Sequence, residues 1–201
     1  MKMYYRKNHL EAGVDEVARG CLAGRVYSAA VVWPKEFSNP ENHPILRDSK
    51  KLTPRRRLIL KDYIEENAID FSVAWEDEKK IDEINILRAT YNAMCKALDG
   101  LSLRIDSILV DGDKFRGYKR IPYTCFVGGD DKYAPIAAAS IIAKVYHDQY
   151  VEKLLDDDPD LEKYGWRTNM RYGTAKHMDA IQEYGLTPYH RRTFGICKDF
   201  V

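Results

Sequence analysis

The sequence predicts an α/β protein in which a sheet carries helices on its faces. Two segments near the N-terminus have strand patterns, the second of them rich in β-branched residues, and strand patterns alternate with helix patterns after them. The 201 residues are 45% hydrophobic and 31% charged. A chain of this length and composition has enough apolar surface to build a core, which excludes a disordered or low-complexity protein.

The first predicted elements are two strands, over residues 12–15 and 23–33. A glycine-containing turn at Arg19 and Gly20 joins them, and such a short connection favours an antiparallel hairpin. Residues 34–50 contain three prolines and are therefore predicted to form a loop.

A helix is predicted to begin after this loop. Thr53 is a favourable N-cap, and Pro54 suits the first helical position. The helix should continue to about Glu66. The side chains that we expect it to bury are Leu58, Ile59 and Tyr63.

The rest of the chain alternates between strands and helices. Strands are predicted over residues 71–75, 105–110 and 123–127. Apolar residues at helical spacing predict one amphipathic helix over residues 82–98, with the buried face Ile84, Leu87, Tyr91, Met94 and Leu98. A long helix over residues 133–155 contains a run of small residues that permits close packing.

The domain organisation follows from this order. Residues 1–158 are predicted to form the α/β domain, and residues 159–201 to form a small helical C-terminal appendage. The appendage is rich in Tyr, Arg, Gly and Thr, and no long linker separates it from the rest.

Several classes of protein are excluded by what the sequence lacks. The longest apolar stretch, residues 134–145, includes Ser140 and Lys144 and is too short to span a bilayer. The basic N-terminus has no apolar run behind it, so we expect no signal peptide. The four cysteines form no C-x-x-C pair, which argues against a zinc site or a disulfide framework and favours a reduced, cytoplasmic protein.

Acidic side chains stand at the ends of predicted strands and before the long helix. Asp15 and Glu16 close the first strand, Asp111 closes the strand over 105–110, and Asp130 and Asp131 precede the long helix. Any one of these residues alone is explained as a turn or a helix cap. Carboxylates that converge repel one another unless a cation neutralises them, and an all-oxygen site suits Mg²⁺ or Mn²⁺.

These acids lie within a series of motifs. Residues 13–24, Gly-Val-Asp-Glu-Val-Ala-Arg-Gly-Cys-Leu-Ala-Gly, resemble the opening signature of the type 2 ribonuclease H (ribonuclease HII) family. Further motifs of that family follow in order up to residue 194. They are similar to Asp48–Leu52 (D-S-K-K-L), Ile84–Thr90, Val110–Gly112 (V-D-G), Gly129–Val145, Tyr172–His177 and His190–Phe194.

The resemblance implies the ribonuclease H fold, a mixed sheet flanked by helices. It also implies a catalytic and metal-binding set of four carboxylates: Asp15, Glu16, Asp111 and Asp130. Asp131 falls on a variable position of the family and is expected to be a solvated neighbour. The implied cofactor is Mg²⁺ or Mn²⁺, with two ions in the active site during catalysis.

The implied activity is that of an endoribonuclease. It would hydrolyse the RNA strand of RNA–DNA hybrids and cut at single ribonucleotides embedded in duplex DNA, leaving 5′-phosphate and 3′-hydroxyl ends. Its implied role is the removal of misincorporated ribonucleotides and RNA primers. These duplexes are the expected partners. The sequence identifies no protein partner, and we expect a monomer.

The resemblance also implies the substrate-binding residues. The turn Ala18-Arg19-Gly20 would contact the 2′-hydroxyl and the neighbouring phosphate, Tyr172 would stack on the next nucleotide, and Lys50 would meet a phosphate. Ala18 replaces a glycine of the family, which the turn tolerates if the φ angle of Ala18 is negative. Lys132 and Lys144 are further candidates for phosphate contacts, whereas His177 and His190 are expected to form structural hydrogen bonds.

Two other interpretations stay open. One is a different nuclease with the ribonuclease H fold, such as a type 1 ribonuclease H, a junction resolvase or an exonuclease. The other is a nucleic-acid-binding module that has lost its chemistry. The complete carboxylate set argues against the second, because carboxylates near phosphates weaken simple binding. Hydrolysis of a duplex that contains one ribonucleotide separates these alternatives.

Overall fold

The computed structural model describes residues 1–36, 46 and 52–201. A five-stranded mixed sheet has the strand order β3-β2-β1-β4-β5. The strands are β1 (Glu11–Val17), β2 (Val26–Val32), β3 (Asp70–Glu76), β4 (Ser107–Asp111) and β5 (Tyr123–Phe126). β1 pairs antiparallel with β2, and β2 with β3, whereas β4 runs parallel to both β1 and β5. The predicted mixed α/β sheet is confirmed.

Helices cover both faces of this sheet. They are α1 (Pro54–Asn67), α2 (Glu78–Ile84), α3 (Ile86–Asp99), α4 (Ala134–Asp157), α5 (Trp166–Asn169) and α6 (Ala175–Tyr184). Short 3₁₀ helices span Gly129–Asp131, Pro159–Tyr164 and Gly195–Phe200. α1 and α4 pack on one face and α3 on the other, which explains why every residue of β2 is buried.

The start of α4 lies directly on β1. A Cβ atom added to Gly13 would stand 2.1 Å from the backbone carbon of Pro135 and 2.4 Å from the nitrogen of Ile136. Only a glycine permits this approach. The contact fixes the beginning of α4 beside the strand that carries Asp15.

The predicted buried face of α1 is wrong for Leu58 and Ile59, whereas Tyr63 is partly buried against the core. Leu58 and Ile59 are 46% and 53% exposed, and the helix instead buries Leu60 and Ile64. Residues four apart share one side of a helix, and it is this pair that packs into the apolar cluster with α4. Leu58 and Ile59 lie one or two residues earlier, which turns their side chains away from the core.

The single helix predicted over 82–98 is also wrong, because it is two helices that meet at Asn85. Asn85 has a φ angle of +69°, and its side-chain oxygen accepts from the amides of Leu87 and Arg88. An asparagine tolerates the left-handed region and competes for backbone amides as an N-cap, which ends α2 and begins α3. Leu87 is 51% exposed, so it lies outside the buried face.

The connection between β1 and β2 is longer than the predicted turn. β2 begins at Val26, and residues 18–25 form an irregular segment that we call the 18–25 connection. Cys21 pairs with Tyr172 and Ala23 with His190 in isolated bridges, so this segment is bound to the C-terminal part of the chain.

The residues after α4 pack on that connection. One apolar cluster joins Leu22 and Ala23 to the end of α4 and to the side chains Leu161, Tyr164, Trp166, Ala180, Ile181 and Cys197. The division into residues 1–158 and 159–201 stays a prediction.

All four cysteines are free thiols. In the part of the chain that the structure describes, no helix has the length and apolar character needed to cross a membrane.

Candidate active site

The carboxylates of β1 and β4 lie at neighbouring strand ends. The parallel register pairs Val14 with Val110, which places Asp15 and Asp111 beside each other one residue further on. Asp15 is only 6% exposed. Its side-chain Oδ1 accepts from the amide of Glu16 at 2.7 Å, and its carbonyl accepts from the Ser28 hydroxyl at 2.7 Å.

The environment of Asp15 disfavours its charge. Burial raises the pKa of Asp15 well above its usual range, and the nearby carboxylates of Glu16 and Asp111 raise it further. A hydrogen bond with Ser140 of α4 acts in the opposite direction. The three carboxylates are therefore close enough to repel one another. Ser140 belongs to the helix segment that is predicted to pack closely, and its side chain contacts an acid of the candidate site.

Glu16 and Asp111 each accept a hydrogen bond from a residue near the site. Glu16 Oε1 accepts from Arg19 Nη1 at 3.0 Å, and Asp111 Oδ1 accepts from the Gly129 amide at 2.7 Å. Asp130 follows Gly129 in the 3₁₀ helix before α4 and is 8% exposed. The hydrogen bond between Asp111 and Gly129 thus brings the end of β4 to the turn that carries Asp130. Asp131 is exposed.

The donor chemistry of this set fits Mg²⁺ or Mn²⁺. All the side chains concerned are carboxylates, and the repulsion felt by Asp15 is what a divalent cation would relieve. Among residues 1–36, 46 and 52–201, no three His, Cys, Asp or Glu side chains are gathered closely enough to hold a metal ion. The acids are neighbours, but their oxygens do not form a ready-made coordination cage.

A cleft of about 470 Å³ opens beside Asp15 and Glu16. Its lining consists of Asp15, Glu16, Val17, Ala18, Arg19, Gly20, Ser140, Lys144 and Tyr172. The structure therefore brings the predicted 18–20 turn and Tyr172 together with two of the predicted catalytic acids. The ring of Tyr172 lies 3.7 Å from the point where a Cβ of Gly20 would stand, and the residue is 39% exposed. Lys50 lies outside the described residues.

The condition placed on Ala18 is not met. Its φ angle is +71°, in the left-handed region that disfavours a side chain, and the residue is 2% exposed. The methyl group is therefore held in a strained turn. Additional contacts must stabilise this turn, because an isolated alanine would leave the left-handed region.

Lys144 reaches the cleft from α4 and is oriented by a buried network. Its ammonium donates to Asp148 Oδ1 at 2.7 Å, which also contacts His147 Nδ1 at 2.9 Å. Arg171 Nη2 lies 2.7 Å from His147 Nε2. Burial lowers the pKa of His147 to about 3, so a neutral ring accepts from Arg171 and donates to Asp148. The sequence showed none of these partners for Lys144.

His177 and His190 lie behind Tyr172 and do not line the cleft. The Thr187 amide donates to His190 Nδ1 at 2.9 Å, the two histidine Nε2 atoms are 3.1 Å apart, and His177 Nδ1 lies 3.0 Å from the Tyr172 carbonyl. Burial lowers the pKa of His190 to about 3. Two neutral rings therefore form a chain of hydrogen bonds that ends on the backbone of Tyr172, which is a structural role.

The comparisons with known proteins agree on one family. A sequence model of the family described as Ribonuclease HII matches residues 12–197. The Ribonuclease HII of Bacteroides thetaiotaomicron is 48% identical over 196 residues, which are 98% of this chain and 94% of the relative. That of Christiangramia forsetii is 46% identical over 199 residues and covers 99% and 97% of the two chains.

Solved structures show the same architecture. The ribonuclease H2 of Pyrococcus horikoshii superposes with a TM-score of 0.76 at 25% identity and covers 94% of this chain and 96% of that chain. Bst-RNase HIII in complex with Mn²⁺ gives a TM-score of 0.69 at 18% identity over 94% and 68% of the chains, a likeness of fold alone. The sequence matches to ribonuclease HII over nearly the whole chain favour that family over a type 1 ribonuclease H, a junction resolvase or an exonuclease. From its sequence matches over nearly the whole length, the chain belongs to the ribonuclease HII family.

Proposed function

We propose that this chain is a metal-dependent endoribonuclease that hydrolyses the RNA strand of RNA–DNA hybrids and cuts at single ribonucleotides in duplex DNA. Its family and fold support ribonuclease H activity. The observation that carries the proposal is the position of Asp15 and Glu16, in one cleft with the 18–20 turn and Tyr172. Acids for the chemistry and groups for substrate recognition thus share one surface.

The four acids Asp15, Glu16, Asp111 and Asp130 would hold Mg²⁺ or Mn²⁺. When bound, two such ions supply an activated water and stabilise the leaving oxygen, which yields 5′-phosphate and 3′-hydroxyl ends. The fold relative Bst-RNase HIII is described in complex with Mn²⁺, which supports this choice of metal. Burial and mutual repulsion favour binding of a cation by Asp15.

The chain's own groups would bind and orient the duplex. The 18–20 turn would contact the sugar beside the scissile phosphate, and Tyr172 would stack on the next nucleotide. Lys144, fixed by Asp148, would meet a phosphate, as would Lys50. A site that hydrogen-bonds a substrate hydroxyl can reject the deoxy analogue by roughly 10⁴–10⁵. Such selectivity suits removal of misincorporated ribonucleotides and RNA primers in the cytoplasm.

The test compares kcat/KM on three duplexes: one ribonucleotide in DNA, a long RNA–DNA hybrid, and plain DNA. With added Mg²⁺ or Mn²⁺, we expect cleavage of the first two and none of the third. Comparable cleavage of plain DNA would overturn the proposal. Cleavage of the hybrid alone would leave a general hybrid nuclease and remove the claim about single ribonucleotides.

Asp111→Asn separates chemistry from binding. The change keeps the shape of the side chain but removes a charge, so cleavage should be abolished while duplex binding persists or tightens. Asp113→Asn is the matched control, because Asp113 lies two residues further on with its side chain 64% exposed. The control should keep both properties. Loss of duplex binding in Asp111→Asn would instead indicate a structural role.

A further inference from the structure

Arg191 is a fully buried arginine beneath the 18–25 connection. It is 0% exposed, and its amide donates to the Leu22 carbonyl at 2.8 Å. The Gly24 amide in turn donates to the Tyr189 carbonyl at 2.7 Å. These backbone bonds fix the position of Arg191 relative to the connection.

The guanidinium group of Arg191 binds three carbonyl oxygens of that connection. Nη2 donates to Ala18 at 2.8 Å, Nη1 to Arg19 at 2.9 Å, and Nε to Gly24 at 2.8 Å. A planar guanidinium presents its N–H groups in a fixed fork, so the three carbonyls are held in one arrangement. Burial lowers the pKa of Arg191 to about 10, which still leaves the group charged at neutral pH.

These bonds determine where the neighbouring amides point. In a planar trans peptide the C=O and N–H groups point in opposite directions. Because the carbonyls of Ala18 and Arg19 face the buried Arg191, the amides of Arg19 and Gly20 face away from it. Both residues line the cleft. The bonds also retain Ala18 at its φ of +71°, a conformation that costs an alanine about 1–2 kcal/mol.

We propose that Arg191 is a positioning residue for recognition of the ribose. By holding the carbonyls of Ala18 and Arg19, it presents the amides of Arg19 and Gly20 to the 2′-hydroxyl and the adjacent phosphate. Arg191 does not touch the substrate. This inference rests on the proposed function and adds the group that sets the geometry of its recognition turn.

The experiment measures binding of two matched duplexes that differ in one 2′-hydroxyl. Arg191→Met and Arg191→Lys are made in the non-cleaving Asp111→Asn protein, and Kd is measured for the single-ribonucleotide duplex and for its all-deoxy counterpart. Arg192→Met is the matched control, since it makes the same change at an adjacent exposed arginine.

Arg191→Met should weaken binding of the ribonucleotide duplex about tenfold or more, the loss expected when two hydrogen bonds are misaligned. Binding of the all-deoxy duplex, which retains only the phosphate contact, should weaken less, so the ratio of the two Kd values, all-deoxy over ribonucleotide, should fall. Arg191→Lys keeps the positive charge but lacks the planar guanidinium group. The ratio of its two Kd values should therefore lie between those of the Arg191 protein and Arg191→Met. Arg192→Met should leave the ratio unchanged. An equal loss on both duplexes, or an unchanged ratio in Arg191→Met, would overturn the proposal.

Two further measurements keep the outcome decisive. Wild-type cleavage of the single-ribonucleotide duplex tests the proposed function separately from the role of Arg191. If neither Arg191 variant folds, amide hydrogen exchange is measured on the Asp111→Asn protein with Arg191 intact, in the presence of each duplex. The Arg19 and Gly20 amides should then be protected more strongly by the ribonucleotide duplex than by the all-deoxy duplex, which offers the phosphate alone. Equal protection by both would overturn the proposal.

Discussion

At the scale of single residues, the site combines groups that would each be unfavourable alone. Asp15 is a carboxyl that is desolvated and faces two other carboxylates. Ala18 has a backbone conformation that disfavours a side chain. Arg191 is a charge without exposure to water. Such features persist where the surrounding structure fixes them, and they concentrate at functional sites.

Ala18→Gly should stabilise the protein slightly. Relief of the left-handed conformation gains about 1–2 kcal/mol, whereas loss of the buried methyl costs about 0.8 kcal/mol. The free energy of unfolding in urea should therefore rise by up to about 1 kcal/mol. Cleavage at a single ribonucleotide should be equal or improved.

Ala23→Gly is the control for this change. Ala23 is also fully buried, but it has no positive φ angle, so the same substitution gains nothing from the backbone. It should lower the free energy of unfolding by about 0.8 kcal/mol, the value of the lost methyl group. A similar loss in Ala18→Gly would show that the 18–20 turn carries no strain.

Tyr172 should act through its ring. The ring is next to Gly20 in the cleft, while burial raises the pKa of its hydroxyl to about 12. Tyr172→Phe should keep most of kcat/KM on the single-ribonucleotide duplex. Tyr172→Ala should lose about 10- to 100-fold, the value of one base stacked on an aromatic ring. Tyr184→Ala, at an exposed tyrosine of α6, should have no effect, and a large loss in Tyr172→Phe would contradict stacking.

The acids of the site could be predicted from sequence because each follows a local pattern, a strand end or a helix start. Ser140, Asp148 and Arg191 could not. Ser140 and Arg191 act on partners that are far away along the chain, and Arg191 and Ala18 are 173 residues apart. Asp148 is only four residues from Lys144, but its role depends on where α4 lies relative to the cleft. In the sequence, Arg191 belongs to the family motif His190–Phe194, which does not show the carbonyls that it binds.

At the scale of elements, the contact between β1 and α4 organises the site. β1 carries Asp15 and Glu16, α4 carries Ser140 and Lys144, and Asp130 lies just before α4. The backbone approach at Gly13 sets the distance between these two elements. A change in that distance would move most of the acids relative to one another.

Gly13→Ala should therefore be severely disruptive. The new Cβ would stand 2.1 Å from the backbone of Pro135, which cannot rotate away as a side chain can. Overpacking costs about 1–3 kcal/mol, and we expect a loss at the upper end of that range in the free energy of unfolding. Cleavage should fall with it, because α4 would separate from Asp15.

Gly185→Ala is the matched control. Gly185 has a φ angle of +75° and nothing within 4 Å of an added Cβ. Its ψ angle of −165° places it in a region that is essentially confined to glycine, so the cost should be backbone strain of about 1–3 kcal/mol, with cleavage retained. A Gly13→Ala protein that is as stable and active as this control would contradict the role of the contact.

The order of helices and strands could be predicted from local sequence patterns. The predictions failed where one pattern is compatible with two structures. The apolar spacing over 82–98 is helical throughout, but Asn85 can cap a helix as well as continue one, and its side-chain bonds favour the cap. In α1, adjacent apolar residues offer more than one possible buried face. The packing against α4 selects Leu60 and Ile64, which the sequence of α1 alone cannot show.

At the scale of the whole molecule, the C-terminal residues complete the site. The Leu22 amide donates to the Arg171 carbonyl at 2.9 Å, and the Arg191 amide donates to the Leu22 carbonyl. The 18–25 connection is therefore bound by two separate C-terminal segments. One presents Tyr172 to the cleft and the other holds the 18–20 turn, so both of the proposed substrate contacts depend on residues after 158.

Two buried histidines in this region make the stability of the whole protein depend on pH. Burial lowers the pKa of both His147 and His190 to about 3. In the unfolded chain a histidine titrates near 6.5. Between these values the unfolded chain binds protons that the folded chain does not, so the free energy of unfolding falls as the pH decreases. The stabilisation is complete above about pH 6.5 and is lost progressively towards pH 3.

Urea unfolding at pH 8 and at pH 5.5 tests this dependence. At pH 5.5, one unit below the unfolded pKa, each histidine should account for a loss of about 1.4 kcal/mol, or about 3 kcal/mol for the pair. His190→Gln removes one of the two groups and should reduce the difference by about 1.4 kcal/mol. His147→Gln should do the same, because the two rings lie in separate hydrogen-bond networks. Burial raises the pKa of Asp15, which changes stability in the opposite direction, and lowers the pKa of His177, which adds to the loss. The comparison with the variants is therefore the test: a pH difference that neither variant reduces would show that His147 and His190 are protonated in the folded protein.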